Sequence, residues 1–242
     1  MAARGGIILA METSNASAGP GGVAVGRVVD GRLEVLSVDP LTPSGRHDDA
    51  LMPAIASAMA RAGVAPGAVA RVAVSVGPGG FSGLRVATAT AKMIALASGA
   101  RCVAVPSALV VALGWFERGD ARRRALVALA SKRESAWVAA IDAGDDAQAR
   151  GRSAAGGRVL DGEGLARELE AVRPGALLAD ERLPAPMRAA AEKAGVAIER
   201  PVFDAVACLG AAVELDPVEP AALEPIYPRE PEAVRKWREL GR

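Results

Sequence analysis

Residues 72–97 read VAVSVGPGGFSGLRVATATAKMIALA: a short apolar strand, a turn carrying Gly77, Gly79, Gly80 and Gly83, then a long run of small residues. Val72, Val74 and Val76 have the branched side chains a pleated sheet favours. The Gly-Pro-Gly-Gly that follows can neither continue a strand nor open a helix, so the chain must turn there. From Leu84 the spacing is helical, with Leu84, Thr88, Ala91 and Ala95 on one side and Val86, Met93 and Ala97 on another. Only Arg85 and Lys92 carry charge in this helix. A helix that is small or apolar nearly all round needs cover on more than one face. Either it lies deep in one core or it lends a face to another chain.

The rest of the chain supplies the elements around this unit. Residues 6–11 form a strand-length apolar run ending in the polar tip Glu12-Thr13-Ser14, as at the carboxyl end of a buried strand. Two further strands, residues 23–29 and 33–38, flank Asp30-Gly31, a strong hairpin signal. Asp48-Asp49 opens a helical pattern with Leu51, Ile55 and Met59, stopped by Gly63, and residues 102–105 make a fifth strand. After Pro106 the order repeats: strands at 125–130, 136–141 and 157–160, a helix at 163–172, a strand at 177–178, a helix at 186–194 and a strand at 196–198. Residues 147–157 carry little periodicity and are expected to be a loop. This order predicts an α/β chain of two lobes, residues 1–106 and 107–242. Each lobe is a mixed sheet of three antiparallel strands plus parallel ones with flanking helices, the RNase H-like or actin-like architecture.

Composition and chemistry narrow the function. A net charge of +1 over 242 residues argues against gripping nucleic acid or an anionic membrane through a whole-molecule field. Cys102 and Cys208 sit among small apolar neighbours and read as buried free thiols in a reducing compartment. No apolar run reaches membrane-spanning length, so a soluble cytoplasmic protein is expected. The glycine turn admits two readings. It can cradle an anion on free backbone N–H groups, with Glu12, Thr13, Gly79, Gly80 and Ser82 as the contacts, or it is a tight turn that lets strand and helix pack closely. It lacks the lysine of a Walker loop, and its last glycine falls one residue late for GxGxxG.

From Ala50 to Phe116 there is no Asp or Glu, and a magnesium-dependent phosphotransferase needs acids on neighbouring strand ends; only Glu12 is so placed. His47 is the sole histidine, with Leu51 four residues on, so a helical zinc pair is excluded. Neither catalytic nor metal-binding residues are expected. Arg85 and Lys92, seven apart, form either a solvated basic strip or a pair of heads that meet acids or a phosphate across a helix seam. Residues 223–229 hold the only tyrosine among prolines, residues 230–242 read as a solvated terminal helix or tail, and Arg118 with Arg122, Arg123 and Arg124 as a basic loop between the lobes.

Four stretches together resemble the TsaB (YeaZ-like) family of bacterial tRNA threonylcarbamoyladenosine biosynthesis. GPGGFSGLRVATATAK at 77–92 is similar to that family's GPGSFTGLRIG, with Gly80 and Ser82 as departures. ILAMETS at 8–14 resembles ILAIDTS, HDDALMPAI at 47–55 resembles HSExLLPxI, and PIYPR at 225–229 resembles PxYxR. The second lobe matches weakly: Ala130-Ser131-Lys132-Arg133 before Trp137 replaces an aspartate-alanine-arginine run, and residues 15–22 lengthen the first hairpin.

The resemblance implies a non-catalytic subunit that pairs with a TsaD-like transferase, which forms threonylcarbamoyladenosine beside the anticodon of ANN-reading tRNAs. It also implies a TsaE-like ATPase in the assembly and contact with tRNA only through the complex, and it is compatible with a homodimer through the same helices when the partner is absent. The pairing surface carried over is helices 48–59 and 84–97, with His47, Leu51, Ile55, Met59, Leu84, Arg85, Thr88, Ala91, Lys92 and Ala95 as its contacts. No cofactor is expected of this chain itself, and a nucleotide at the partner seam stays open. The competing expectation is an autonomous nucleotide-dependent phosphotransferase or peptidase on the same fold.

Overall fold

Alternation in the first forty residues builds the first sheet. In the computed structural model, which describes residues 6–14, 21–41, 47–118, 124–229, 237, 238 and 240, five strands form it: β1 (Ile7–Glu12), β2 (Gly22–Val29), β3 (Arg32–Pro40), β4 (Val69–Ser75) and β5 (Arg101–Val105). Their order is β3-β2-β1-β4-β5, with β1 to β3 antiparallel and β1, β4 and β5 parallel. Asp30 and Gly31 both adopt positive φ, 49° and 77°, which matches the right-handed twist of the β2–β3 hairpin. The continuous apolar run of β1 is buried along nearly its whole length, as a central strand covered on both faces must be.

The second sheet comprises β6 (Arg124–Lys132), β7 (Ser135–Asp142), β8 (Arg158–Leu160), β9 (Ala176–Ala179) and β10 (Ile198–Glu199), in the order β10-β9-β6-β7-β8. Both expected lobes therefore have the expected mixed sheets. Helices α1 (His47–Arg61) and α2 (Phe81–Ser98) cover the outer face of the first sheet. Between the sheets lie α3 (Ser107–Phe116), α4 (Ala147–Ala155) and α7 (Ala205–Glu214), sharing one core with the inner faces of both. On the outer face of the second sheet are α5 (Gly162–Val172) and α6 (Ala185–Lys193).

Three features depart from expectation. Residues 147–157 are not a loop: α4 occupies most of them, started by Asp146 accepting from Ala149 N at 2.7 Å. Its Gly151 faces Leu215 so closely that a Cβ there would lie 2.8 Å from Leu215 Cδ2. Helices α3 and α7 have no counterpart in the sequence reading, because both are apolar on every side and lack an amphipathic period. Finally, α7 leaves the second half of the chain and packs on β1 and β2, so the first sheet's inner face is covered by residues far beyond position 106. Most of the terminal tail at 230–242 and most of the basic loop near 118–124 lie outside the described residues.

Candidate functional site

The glycine turn is pressed against the tip of β1. Gly80 N donates to Ser14 O at 2.6 Å, and the Thr13 hydroxyl donates to Gly83 O at 3.1 Å. A Cβ on Gly79 would lie 2.0 Å from Ser14 O, and one on Gly83 2.7 Å from Thr13 O. Gly77 takes φ +96°, a left-handed backbone that suits glycine, with Leu84 and the Ile226 carbonyl against its bare face. Backbone meets backbone along this seam, which is what the tight-turn reading requires. Of the expected phosphate contacts, Thr13, Gly79 and Gly80 are engaged with the protein itself, while Ser82 is exposed.

Glu12 is fully buried. Its Oε1 accepts from Ser14 N at 2.7 Å and from the Ser14 hydroxyl at 2.5 Å, and Oε2 has no hydrogen-bond partner. Burial pushes its carboxyl above the usual carboxylate range; the Ser14 hydrogen bonds and the nearby Ser75 hydroxyl oppose this, and Asp204 adds to it. Asp204 is occupied as the cap of α7, accepting from Val206 N at 2.8 Å. Among the described residues no three His, Cys, Asp or Glu side chains come together as metal ligands. Both cysteines are buried and free. Cys208 donates to Met11 O at 3.8 Å, and burial, with Glu12 and Asp204 nearby, raises its thiol pKa well above the ordinary value.

The two helices expected to meet a partner do lie side by side on the first lobe, but seven of the ten residues expected to make the contact point the other way. Leu51, Ile55, Met59, Leu84, Thr88, Ala91 and Ala95 are all buried, within the chain's own core or against the first sheet. They cannot form an intermolecular surface, and this corrects the assignment. The reason is steric: β4 runs close beneath α2, and small residues on the inner side let helix and sheet approach. Arg85 is exposed and Lys92 half-buried. His47 opens α1, and its side chain lies outside the described residues.

What the outer side presents is unexpected. Met52 on α1 and Phe81, Met93 and Leu96 on α2 are 55%, 52%, 65% and 69% exposed. Ala56 and Ala60 on α1 and Ala89 on α2 are also exposed. Arg85 sits over the Phe81 ring at 5.0 Å from its centroid, and Tyr227 packs on the same ring at 5.4 Å. No carboxylate among the described residues pairs with Arg85 or Lys92. This face was legible only as the surplus apolar side of α2. The large residues at 52, 81, 93 and 96 were the available signal, since large exposed hydrophobics gathered on one face mark interaction surfaces.

Two five-stranded mixed sheets with helices outside and between them define the two-lobed, actin-like ATPase fold. The profile of a family described as "TsaD: tRNA N6-adenosine threonylcarbamoyltransferase" matches residues 37–198, more than half of the chain, and the chain belongs to that family. Among solved structures it is similar to an uncharacterized Pseudomonas aeruginosa protein with similarity to peptidase YEAZ, at 22% identity and TM-score 0.68, covering 93% of this chain and 100% of that one. It is also similar to YeaZ from Pseudomonas aeruginosa, at 21% identity and TM-score 0.62, covering 92% and 99%. No curated protein sequence matches it. The fold is thus YeaZ-like, and with the family match it agrees with the TsaB-like motifs at the glycine turn and at β1.

Proposed function

We propose that this chain is the non-catalytic subunit of a tRNA threonylcarbamoyl transferase. It pairs through the outer face of α1 and α2 with a TsaD-like subunit that carries the chemistry, and a TsaE-like ATPase joins the same cytoplasmic assembly. The tRNA is reached through the complex, and without the partner the same face pairs with a second copy of the chain. The observation that carries this reading is the apolar patch of Met52, Phe81, Met93 and Leu96 on helices that otherwise cover the sheet fully. A folded chain holds such a patch in water at a cost, and a partner that buries it recovers the hydrophobic gain.

The test is co-purification with a TsaD transferase, coupled to mass-spectrometric detection of the modified nucleoside. Met93→Glu and Leu96→Glu are expected to abolish both while the isolated chain keeps its melting temperature. Retained pairing by both variants sinks the docking face. For the competing autonomous enzyme, calorimetry of the isolated chain with ATP and magnesium is decisive: tight binding overturns the non-catalytic reading.

A further inference from the structure

After α7 the chain runs back over both lobes. Val218 N donates to Cys102 O at 2.7 Å and forms a bridge at the free edge of β5. Leu223 is wholly buried under α2, and Ile226 N donates to Val76 O at 2.7 Å, at the end of β4. Tyr227 then lies on Phe81, 42% exposed, extending the apolar face beyond the first residue of α2. Two residues later Arg229 crosses to the second lobe. Its Nη1 donates to Ala130 O at 2.6 Å, and its Nη2 donates to Ser135 O at 3.1 Å and to the Ser135 hydroxyl at 3.0 Å.

Those carbonyls are available for a reason. The β6–β7 ladder shifts register between Leu129 and Lys132, and Ala130, at φ +50°, falls outside the pairing, so its carbonyl is turned to the guanidinium while Ser135, paired with Lys132, offers its carbonyl and hydroxyl beside it. A guanidinium can span two separated acceptors with a fixed fork, where an ammonium acts as a single point charge. Arg229 thereby ties residues 223–229 to the hairpin while Tyr227 is displayed at the surface.

Resting on the docking face proposed above, we infer that Tyr227 is an aromatic anchor of that face and that Arg229 is the residue that positions it. The partner this composite surface fits is a folded protein offering an apolar groove rimmed by carboxylates. The aromatic and methionine side chains fill the groove, and Arg85 and Lys92, in a stretch without acids from residue 50 to 116, meet the rim. Aromatic side chains flanked by arginine are the usual composition of such anchors.

The experiment measures affinity of the full chain for a purified TsaD transferase by calorimetry, with amide exchange read at residues 81–85 and 130–135. Tyr227→Ala is expected to weaken binding at least tenfold without changing exchange at 130–135. Arg229→Ala is expected to weaken it similarly and to accelerate exchange at both segments, and Arg229→Lys to fall between. Wild-type affinity in both Tyr227→Ala and Arg229→Ala, alongside lost binding in Met93→Glu, overturns this inference and leaves the α1–α2 face standing. Undiminished binding by Met93→Glu overturns the face and the inference with it.

Discussion

The two outer helical layers do the same architectural work and end in opposite surfaces. Helices α5 and α6 bury Leu165, Leu169, Met187 and Ala191 against the second sheet and turn Glu163, Arg167, Glu170, Glu192 and Lys193 outward. Helices α1 and α2 bury Leu51, Ile55, Ala87 and Ala91 against the first sheet and turn Met52, Met93 and Leu96 outward. The inner faces are interchangeable in kind. Only the outer faces differ: that of α5 and α6 is charged, as suits a layer finished by water, while that of α1 and α2 carries large apolar side chains of the kind that mark interaction surfaces.

If the inner faces are equivalent, matched truncations should cost alike. Leu84→Ala on α2 and Leu165→Ala on α5, both fully buried, are each expected to lose about 2–5 kcal/mol of stability in urea denaturation. A near-zero cost at Leu84 would mean that α2 is held by a partner and not by its own sheet. The outer faces should then diverge. Met93→Glu is expected to cost about 2 kcal/mol or more of partner affinity by calorimetry, whereas Arg167→Leu on α5 should leave it unchanged; equal losses would erase the contrast.

Helix starts differ too. Asp161 caps α5 by accepting from Gly164 N at 2.8 Å, whereas Gly80 gives α2 no side-chain cap. Asp161→Ala should therefore lose about 1 kcal/mol, read from thermal or urea unfolding.

The gentlest effect belongs to Glu12 and shows as a slope. Its folded pKa is raised above the ordinary 4.5, so as pH climbs past that value the unfolded chain gives up its proton while the folded chain keeps it. Stability contributed by this group is thus greatest in acid and falls with rising pH until the folded pKa is reached. Glu12→Gln should flatten that part of the urea-midpoint profile between pH 4 and 8 relative to wild type, and an unchanged profile would show that Glu12 is ionised in the fold.

What could be read beforehand followed from how local each cause is. The Asp30-Gly31 hairpin, the polar tip of β1 and the strand–glycine–helix unit at 72–97 are set by neighbours in sequence, and all three appear where expected. Helices α3 and α7 escaped because a segment buried on all sides carries no period, and α4 escaped because Gly151 makes sense only once Leu215 is seen against it. On α2 the periodicity correctly separated two sides but could not say which one faces the sheet. Size would ordinarily place Met93 and Leu96 inside, and the close approach of β4 reserves that place for alanines. The pairing of Phe81 with Tyr227 spans more than half of the chain and left no local mark.

The return of α7 to the first sheet has a consequence for how the molecule comes into being. During synthesis the strands of the first lobe emerge early, yet the helix that closes their inner face is about a hundred residues from being made. Until then Ile8, Ala10 and Ala73 have no cover on that side. The first lobe to appear is therefore among the last to be completed, and the growing chain must carry an open apolar sheet while about a hundred further residues are made.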